Sequence, residues 1–231
     1  MEFIIDSLKE AIKLIVKLDR EFLEIVLLSL KISGVALIIS IIVGLPFTFF
    51  LYYKDFFLKR VIIILINTFL GIPTVVVGLF LFLILSRSGP LGFLGLLYTP
   101  YAIIVAQFFL SLPYIISITF SSLEKLDKEI LIAYKTLGAN TLQIFLSLLK
   151  EVRYGVLTAI CSGFGRIISE IGAVLIVGGN IAHYTRVMTT AIALEIDKGN
   201  FILALALGLI LLAITFVVNL FLYFLHKNMK K

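Results

Sequence analysis

Apolar residues run through this chain in five long stretches, at 25–52, 61–85, 100–123, 154–177 and 201–225, parted by short polar segments. A bilayer core about 30 Å thick takes a helix of about 20 apolar residues, so each stretch is long enough to span one. The pattern predicts an all-α membrane protein of about five transmembrane helices. Ahead of them, Ile4, Leu8, Ile12 and Ile15 recur at helical spacing, with Asp6, Lys9, Glu10, Lys13 and Lys17 between. That is an amphipathic helix with both charge signs on its polar face. It lacks the unbroken apolar run of a signal peptide. It reads as a helix lying in the membrane interface, or as one packed on a partner helix. The organisation expected is one domain: an interfacial helix at 1–23, a transmembrane unit at 24–225 and a basic tail at 226–231.

Breakers sit inside several spans: Gly34, Gly44 and Pro46 in the first, Gly71-Ile72-Pro73 in the second, Pro113 in the third. They mark kinks that shape a pathway, or prolines tolerated because neighbouring helices satisfy the freed carbonyls. The fourth span ends at the turn Gly178-Gly179-Asn180, and residues 181–200 read as a polar stretch.

Composition agrees with the pattern. The 231 residues are 61% hydrophobic and 15% charged, with a mean hydropathy of +1.16. Soluble domains are about 45–50% apolar and about 25% charged, so the solvent of this surface is lipid. The net charge of +6 does not point to nucleic acid, because basic residues scattered among lipid-soluble spans form no phosphate-tracking groove. Its distribution orients the chain instead. Lys54, Lys59, Arg60, Lys125, Lys128, Lys135, Lys150, Arg153, Lys227, Lys230 and Lys231 gather on one side. The opposite loops hold Arg87, Arg186 and Lys198, with Lys9, Lys13, Lys17 and Arg20 in the N-terminal helix. The first group is expected in the cytoplasm, which puts the N-terminus outside and the C-terminus inside. Lys31 near an outer end snorkels to the headgroups.

No catalytic site is legible. There is no nucleophile elbow, no metal-spaced His/Cys cluster and no phosphate-cradling glycine loop. His183 and His226 read as surface residues, and the single Cys161 as a packing residue. Two features remain. Arg166 and Glu170 lie four apart inside the fourth span, with Ser169 between them. Charges at membrane depth face a bundle interior or a wet cavity, and this spacing lets them neutralise each other. They either lock the bundle or line a solute pathway. The second feature is the polar segment 124–153, where helix-compatible runs at 126–137 and 141–149 flank Gly138-Ala139-Asn140. A glycine there permits a tight reversal and close approach by another backbone, and two short helices would make a docking knob.

The run Ile132-Ala133-Tyr134-Lys135-Thr136-Leu137-Gly138-Ala139 resembles the cytoplasmic coupling loop of type I ABC importer permeases at Ala133, Gly138 and Ala139. It departs at the family's glutamate, here Ile132, and at its Leu-Pro, here Lys150-Glu151. Gly163-Phe164-Gly165-Arg166, Ser169-Glu170-Ile171-Gly172 and Gly178-Gly179-Asn180-Ile181 resemble the oxyanion branch, the molybdate and tungstate permeases. Thr185-Arg186, Thr189 to Ile192, Leu194-Glu195 with Lys198-Gly199, and Lys150 to Gly155 look closest to tungstate permeases. The resemblance implies a MetI-like importer permease in a prokaryotic plasma membrane. It also implies a homodimer, two cytoplasmic ATPase subunits and an external solute-binding protein. Ile132, Ala133, Tyr134, Gly138, Ala139 and Asn140 would contact the ATPase, and ATP and Mg²⁺ would belong there, with no cofactor in this chain. The solute expected is tungstate, with molybdate or sulfate as the alternative. A stand-alone channel or secondary transporter is disfavoured by the lack of a chain of ionisable groups and of an inverted repeat.

Overall fold

The computed structural model describes residues 2–17 and 19–227. Residues 228–231, the end of the basic tail, lie outside them. The described residues form eleven α-helices and no strand. The helices are α1 (Glu2–Lys17), α2 (Arg20–Tyr53), α3 (Lys59–Leu70), α4 (Thr74–Leu85), α5 (Pro100–Glu124), α6 (Lys128–Thr136), α7 (Thr141–Glu151), α8 (Arg153–Ile168), α9 (Gly172–Gly178), α10 (Met188–Asp197) and α11 (Phe201–Lys227).

Three helices, α2, α5 and α11, are long and apolar enough to cross a bilayer alone. Two pairs cross only as bent units: α3 with α4, turned by 106°, and α8 with α9, turned by 59°. Counting each pair once gives five spans. The first bend falls at Gly71-Ile72-Pro73, where proline removes a donor and disfavours helix in the residue before it. The second falls at Ser169-Glu170-Ile171, inside the stretch expected to be one helix. Freed carbonyls at both bends are satisfied by side chains, as a buried break requires. Tyr114 Oη donates to Leu70 O at 3.4 Å, Gln107 Nε2 to Ile167 O at 3.1 Å and Thr189 Oγ1 to Glu170 O at 2.7 Å.

The centre of the bundle is α5 against α2 and α8. Small residues let the α2 backbone approach closely. A Cβ on Gly44 would sit 2.8 Å from Ile115 Cγ2. Ser40 and Ser111 meet at 2.6 Å, one donating to the other, and each also lies within reach of a carbonyl one turn back, Ala36 O at 2.9 Å and Gln107 O at 2.9 Å. The outer half-helices α4 and α9 are packed just as tightly, since a Cβ on Gly78 would lie 2.8 Å from Ala173 Cα. Ile103, Ala106, Ile167, Val174 and Val177 form the adjoining buried core.

The polar stretch expected at 181–200 contains α10, with Met188, Thr189, Thr190 and Ala191 buried. Met188 N–H donates to Ser29 Oγ at 2.7 Å, which ties the start of α10 to α2. α1 packs on α11, and its Ala11, Leu14 and Ile15 join a hydrophobic cluster that also holds residues of α2 and α10. Its Ile12 and Val16 stay exposed.

The two ends of the bundle differ in charge. Tyr52, Tyr53, Leu123, Leu148 and Tyr134 form one small core, so the end of α2, the end of α5 and the α6–α7 segment share one end. Tyr98 N–H donates to Val177 O at 2.9 Å and His183 meets Glu24 at 2.7 Å. The 86–99 and 179–187 loops and the start of α2 therefore share the other.

Candidate functional site: a polar face at a broken span

α8 carries two chemistries on two faces. Ala159, Gly163 and Ile167 are buried toward the bundle. At 100° per residue, Tyr154, Gly155, Thr158, Cys161, Ser162, Gly165, Arg166 and Ser169 fall within roughly 140° of arc on the other side. All of these are half-buried, apart from Ser169, which is exposed. Toward the basic end this face looks across a hollow of about 490 Å³ lined by Ser117, Ser121, Ser122, Lys125, Tyr154 and Thr158. Higher up, a Cβ on Gly165 would meet nothing within 4 Å. Hydroxyls and a guanidinium left uncovered at membrane depth are costly against hydrocarbon and are found facing protein or water-filled space. The periodicity Thr158, Ser162, Gly165, Ser169 was available in the sequence. It is invisible to a search for apolar periodicity, because α8 also carries apolar residues all around its remaining arc.

Arg166 and Glu170 do meet, Nη1 donating to Oε2 at 2.9 Å, but not on one helix face as the spacing suggested. α8 has ended by Ile168, and Glu170 sits in the bend. Its other carboxylate oxygen, Oε1, accepts Ala173 N–H at 3.1 Å in the first turn of α9. Glu170 is only 4% exposed, whereas the Arg166 side chain is 26% exposed. Glu170 therefore joins three elements: its carboxylate holds α8 through Arg166 and α9 through Ala173, and its backbone carbonyl holds α10 through Thr189. Ser169 Oγ donates back to Gly165 O at 2.9 Å and stays on the open side. Beside the bend, Gln107 is buried and its Oε1 has no partner among the described residues. The second bend lies against the first. A Cβ on Gly172 would sit 2.9 Å from Val75 and 3.0 Å from Thr74 Oγ1, so the starts of α4 and α9 converge.

The turn after α9 is built from left-handed residues, Gly179 at φ +68° and Asn180 at φ +51°. Gly178 O accepts the Thr185 hydroxyl at 2.6 Å, and Asn180 Nδ2 donates to Thr190 O at 3.3 Å. This turn sets the loop that carries His183 and Arg186 to the start of α2. Arg20, Glu24, Lys31, His183 and Arg186 line an open hollow of about 890 Å³ there. Its charges are mixed, with Arg20 and His183 on Glu24 and Arg186 3.8 Å from Glu21. Glu195, on α10, is buried between Lys198 at 2.9 Å and Asn200 at 2.8 Å. The hydrogen bond from Lys198 holds its carboxyl below the ordinary value, with help from Asn200 and against the cost of burial.

At the basic end, Asn140 caps α7: its side chain accepts Gln143 N–H at 2.9 Å, and Gln143 Oε1 accepts Asn140 N–H at 2.8 Å. This is a capping box. Gly138 has φ +76°, and a Cβ there would meet nothing within 4 Å. The glycine serves the left-handed turn; within this chain it permits no close approach. Tyr134 Oη donates to Glu151 at 3.3 Å and bolts α6 to α7. Ala133 is exposed and Ala139 half-buried. Ile132, Leu137 and Leu142 are 61, 82 and 64% exposed. Exposed apolar side chains gathered on a polar loop are a common mark of interaction surfaces.

Comparison with known proteins follows these features. Residues 36–231 match the family of binding-protein-dependent transport system inner membrane components. The tungstate uptake system permease protein TupB of Peptoclostridium acidaminophilum is 40% identical over 99% of this chain and 100% of its own length. TupB of Campylobacter jejuni is 35% identical over 95% and 92%. Permeases named for molybdenum and sulfate match at lower identity. A bacterial alginate ABC transporter, crystallised with an alginate-bound periplasmic protein, superposes with a TM-score of 0.73 at 15% identity, over 100% of this chain and 90% of that one. The likeness shows a shared fold. With apolar helices, an uncovered polar face and these matches, the chain belongs to the binding-protein-dependent transport system inner membrane components, multi-pass permeases of the type I importer fold.

Proposed function

We propose that this chain is the permease subunit of an ATP-driven importer for an oxyanion, with tungstate as the solute. The observation that carries the transport reading is the polar face of α8, left only half-buried among apolar spans. The identity to tungstate permeases along the full chain supports the solute. The face is half a pathway, so a second copy supplies the opposite wall. ATP and Mg²⁺ are handled by two partner ATPases, and this chain needs no cofactor. Ile132, Leu137 and Leu142, around Ala133 and Gly138, are the surface on which an ATPase seats, and Tyr134, Ala139 and Asn140 hold its shape. An external binding protein delivers the solute to the end where His183 meets Glu24. The gathering of Lys54, Lys125, Lys135 and Arg153 at the other end supports an outside N-terminus and a cytoplasmic C-terminus in a prokaryotic plasma membrane.

The test is uptake of labelled tungstate into vesicles holding the permease, its ATPase and its binding protein. ATP-dependent accumulation, blocked more strongly by unlabelled tungstate than by molybdate or sulfate, is the expected result. Preference for molybdate or sulfate would move the solute, and accumulation without an ATPase would refute the importer reading.

A further inference from the structure

The two charges at the bend have separate jobs. We infer that Arg166 is the point at which the passing oxyanion is held, and that Glu170 positions it without touching solute; this rests on the proposed pathway. Nη1 of Arg166 is engaged by Glu170, while Nε and Nη2 have no partner among the described residues and are not sealed from solvent. A guanidinium is a planar fork of five donors and cannot lose its charge in a protein. Binding one donor leaves the others fixed in direction, as a preorganised recognition edge for a tetrahedral oxyanion. Arg166 shares its arc of α8 with Ser162, Gly165 and Ser169, and the missing Gly165 side chain leaves room there.

Glu170 is suited to the other task. Both of its oxygens are taken, one by Arg166 and one by Ala173 N–H, and its backbone carbonyl is taken by Thr189. At 4% exposure it offers an anion nothing. Its charge does shape the affinity: a lone cation at membrane depth would bind an oxyanion tightly and release it slowly. A cation already half-neutralised attracts the anion and lets it go. Conduction needs binding of this intermediate kind.

The experiment is charge replacement at position 166 in the assembled importer, in vesicles, with tungstate as the probe. In a Cys161→Ala background, Arg166→Cys should lower uptake about tenfold, the cost of one lost charge-assisted contact. A methanethiosulfonate reagent that attaches an ammonium should restore at least part of that uptake, and one that attaches a sulfonate should not. Arg166→Lys, which keeps the charge on a fold-preserving scale, should transport better than Arg166→Gln while raising the KM for tungstate above the parent's. Glu170→Gln, which keeps an acceptor for Ala173, should lower the KM and slow the maximal rate, because release of the anion becomes harder. Equal uptake with the two adducts, or Lys and Gln variants transporting alike, overturns the assignment while leaving the importer standing. A parent complex that accumulates no oxyanion refutes the proposed function and this assignment with it.

Discussion

The α2–α5 seam and the outer face of α8 are built from the same residue types and end in opposite states. In the seam, Ser40, Ser111 and Thr48 each lie within hydrogen-bond reach of a carbonyl one turn back, and glycine and alanine close the gap until a single added methyl would clash. On α8, Thr158 and Ser169 make the same back-bonds, yet Thr158 stays half-buried over a hollow and Ser169 exposed, and the chain adds a guanidinium. Small polar residues therefore do not distinguish glue from pathway. What distinguishes them is whether a helix arrives to bury the face, and whether a charge is left with donors to spare.

The sharpest way to break this contrast is at the bend. Glu170→Ala leaves Ala173 N–H unsatisfied and Arg166 without its anion, in a site 4% exposed. The expected loss is roughly 3–5 kcal/mol, read as folded, monodisperse protein after detergent extraction. Arg166→Ala should cost less, about 1–2 kcal/mol, since the arginine side is partly exposed and the remaining carboxylate keeps Ala173. The double change should be milder than Glu170→Ala alone. Equal losses from the two single changes would mean that the carboxylate is no more structural than the arginine.

Next is the packing of the outer half-helices. Gly78→Val puts a Cβ within 2.8 Å of the Ala173 backbone, which cannot rotate away. Overpacking of this kind costs roughly 1–3 kcal/mol. Thermal unfolding in detergent should show it, whereas Gly165→Ala, with open space around its Cβ, should be near neutral.

At the other end, Gly138→Val forces a β-branched residue to φ +76°, a strain of about 1–2 kcal/mol confined to the α6–α7 turn. The bundle should stay intact while co-purification of the ATPase falls, with Arg87→Ala as the control that spares it. Smallest is Glu195. Its folded pKa lies below the ordinary 4.5, so its stabilisation is complete above that value and is lost as pH falls through the folded one. Unfolding temperature should drop on acidification below about pH 4.5 in the parent, by an amount equivalent to about 1 kcal/mol, and less so in Glu195→Gln.

The spans were legible because hydropathy over some twenty residues outweighs local detail, and Gly71-Ile72-Pro73 announced its bend through proline chemistry. The bend at Ser169-Glu170-Ile171 holds no breaker. It exists because Gln107 and Thr189, from other parts of the chain, satisfy the carbonyls it frees. Gln107 lies 60 residues from the carbonyl it satisfies and Thr189 lies 19 from its own, beyond the reach of any local signal. α10 was hidden for a related reason: Thr189, Thr190 and Glu195 look polar, but each is bonded within the fold and buried. The pairing of Arg166 with Glu170 was readable from spacing, whereas the capping of α9 by the same carboxylate was not.

The central claim is that the outer face of α8 meets water. Cysteines placed singly along α8 in the assembled complex, with Cys161→Ala as background, test it most directly through their rates of reaction with a membrane-impermeant thiol reagent. Thr158, Ser162, Gly165 and Ser169 should react, and Ala159, Gly163 and Ile167 should not, giving a helical rhythm that changes with nucleotide. Uniformly unreactive positions, or reactivity on the Ala159–Gly163 side, would contradict the account.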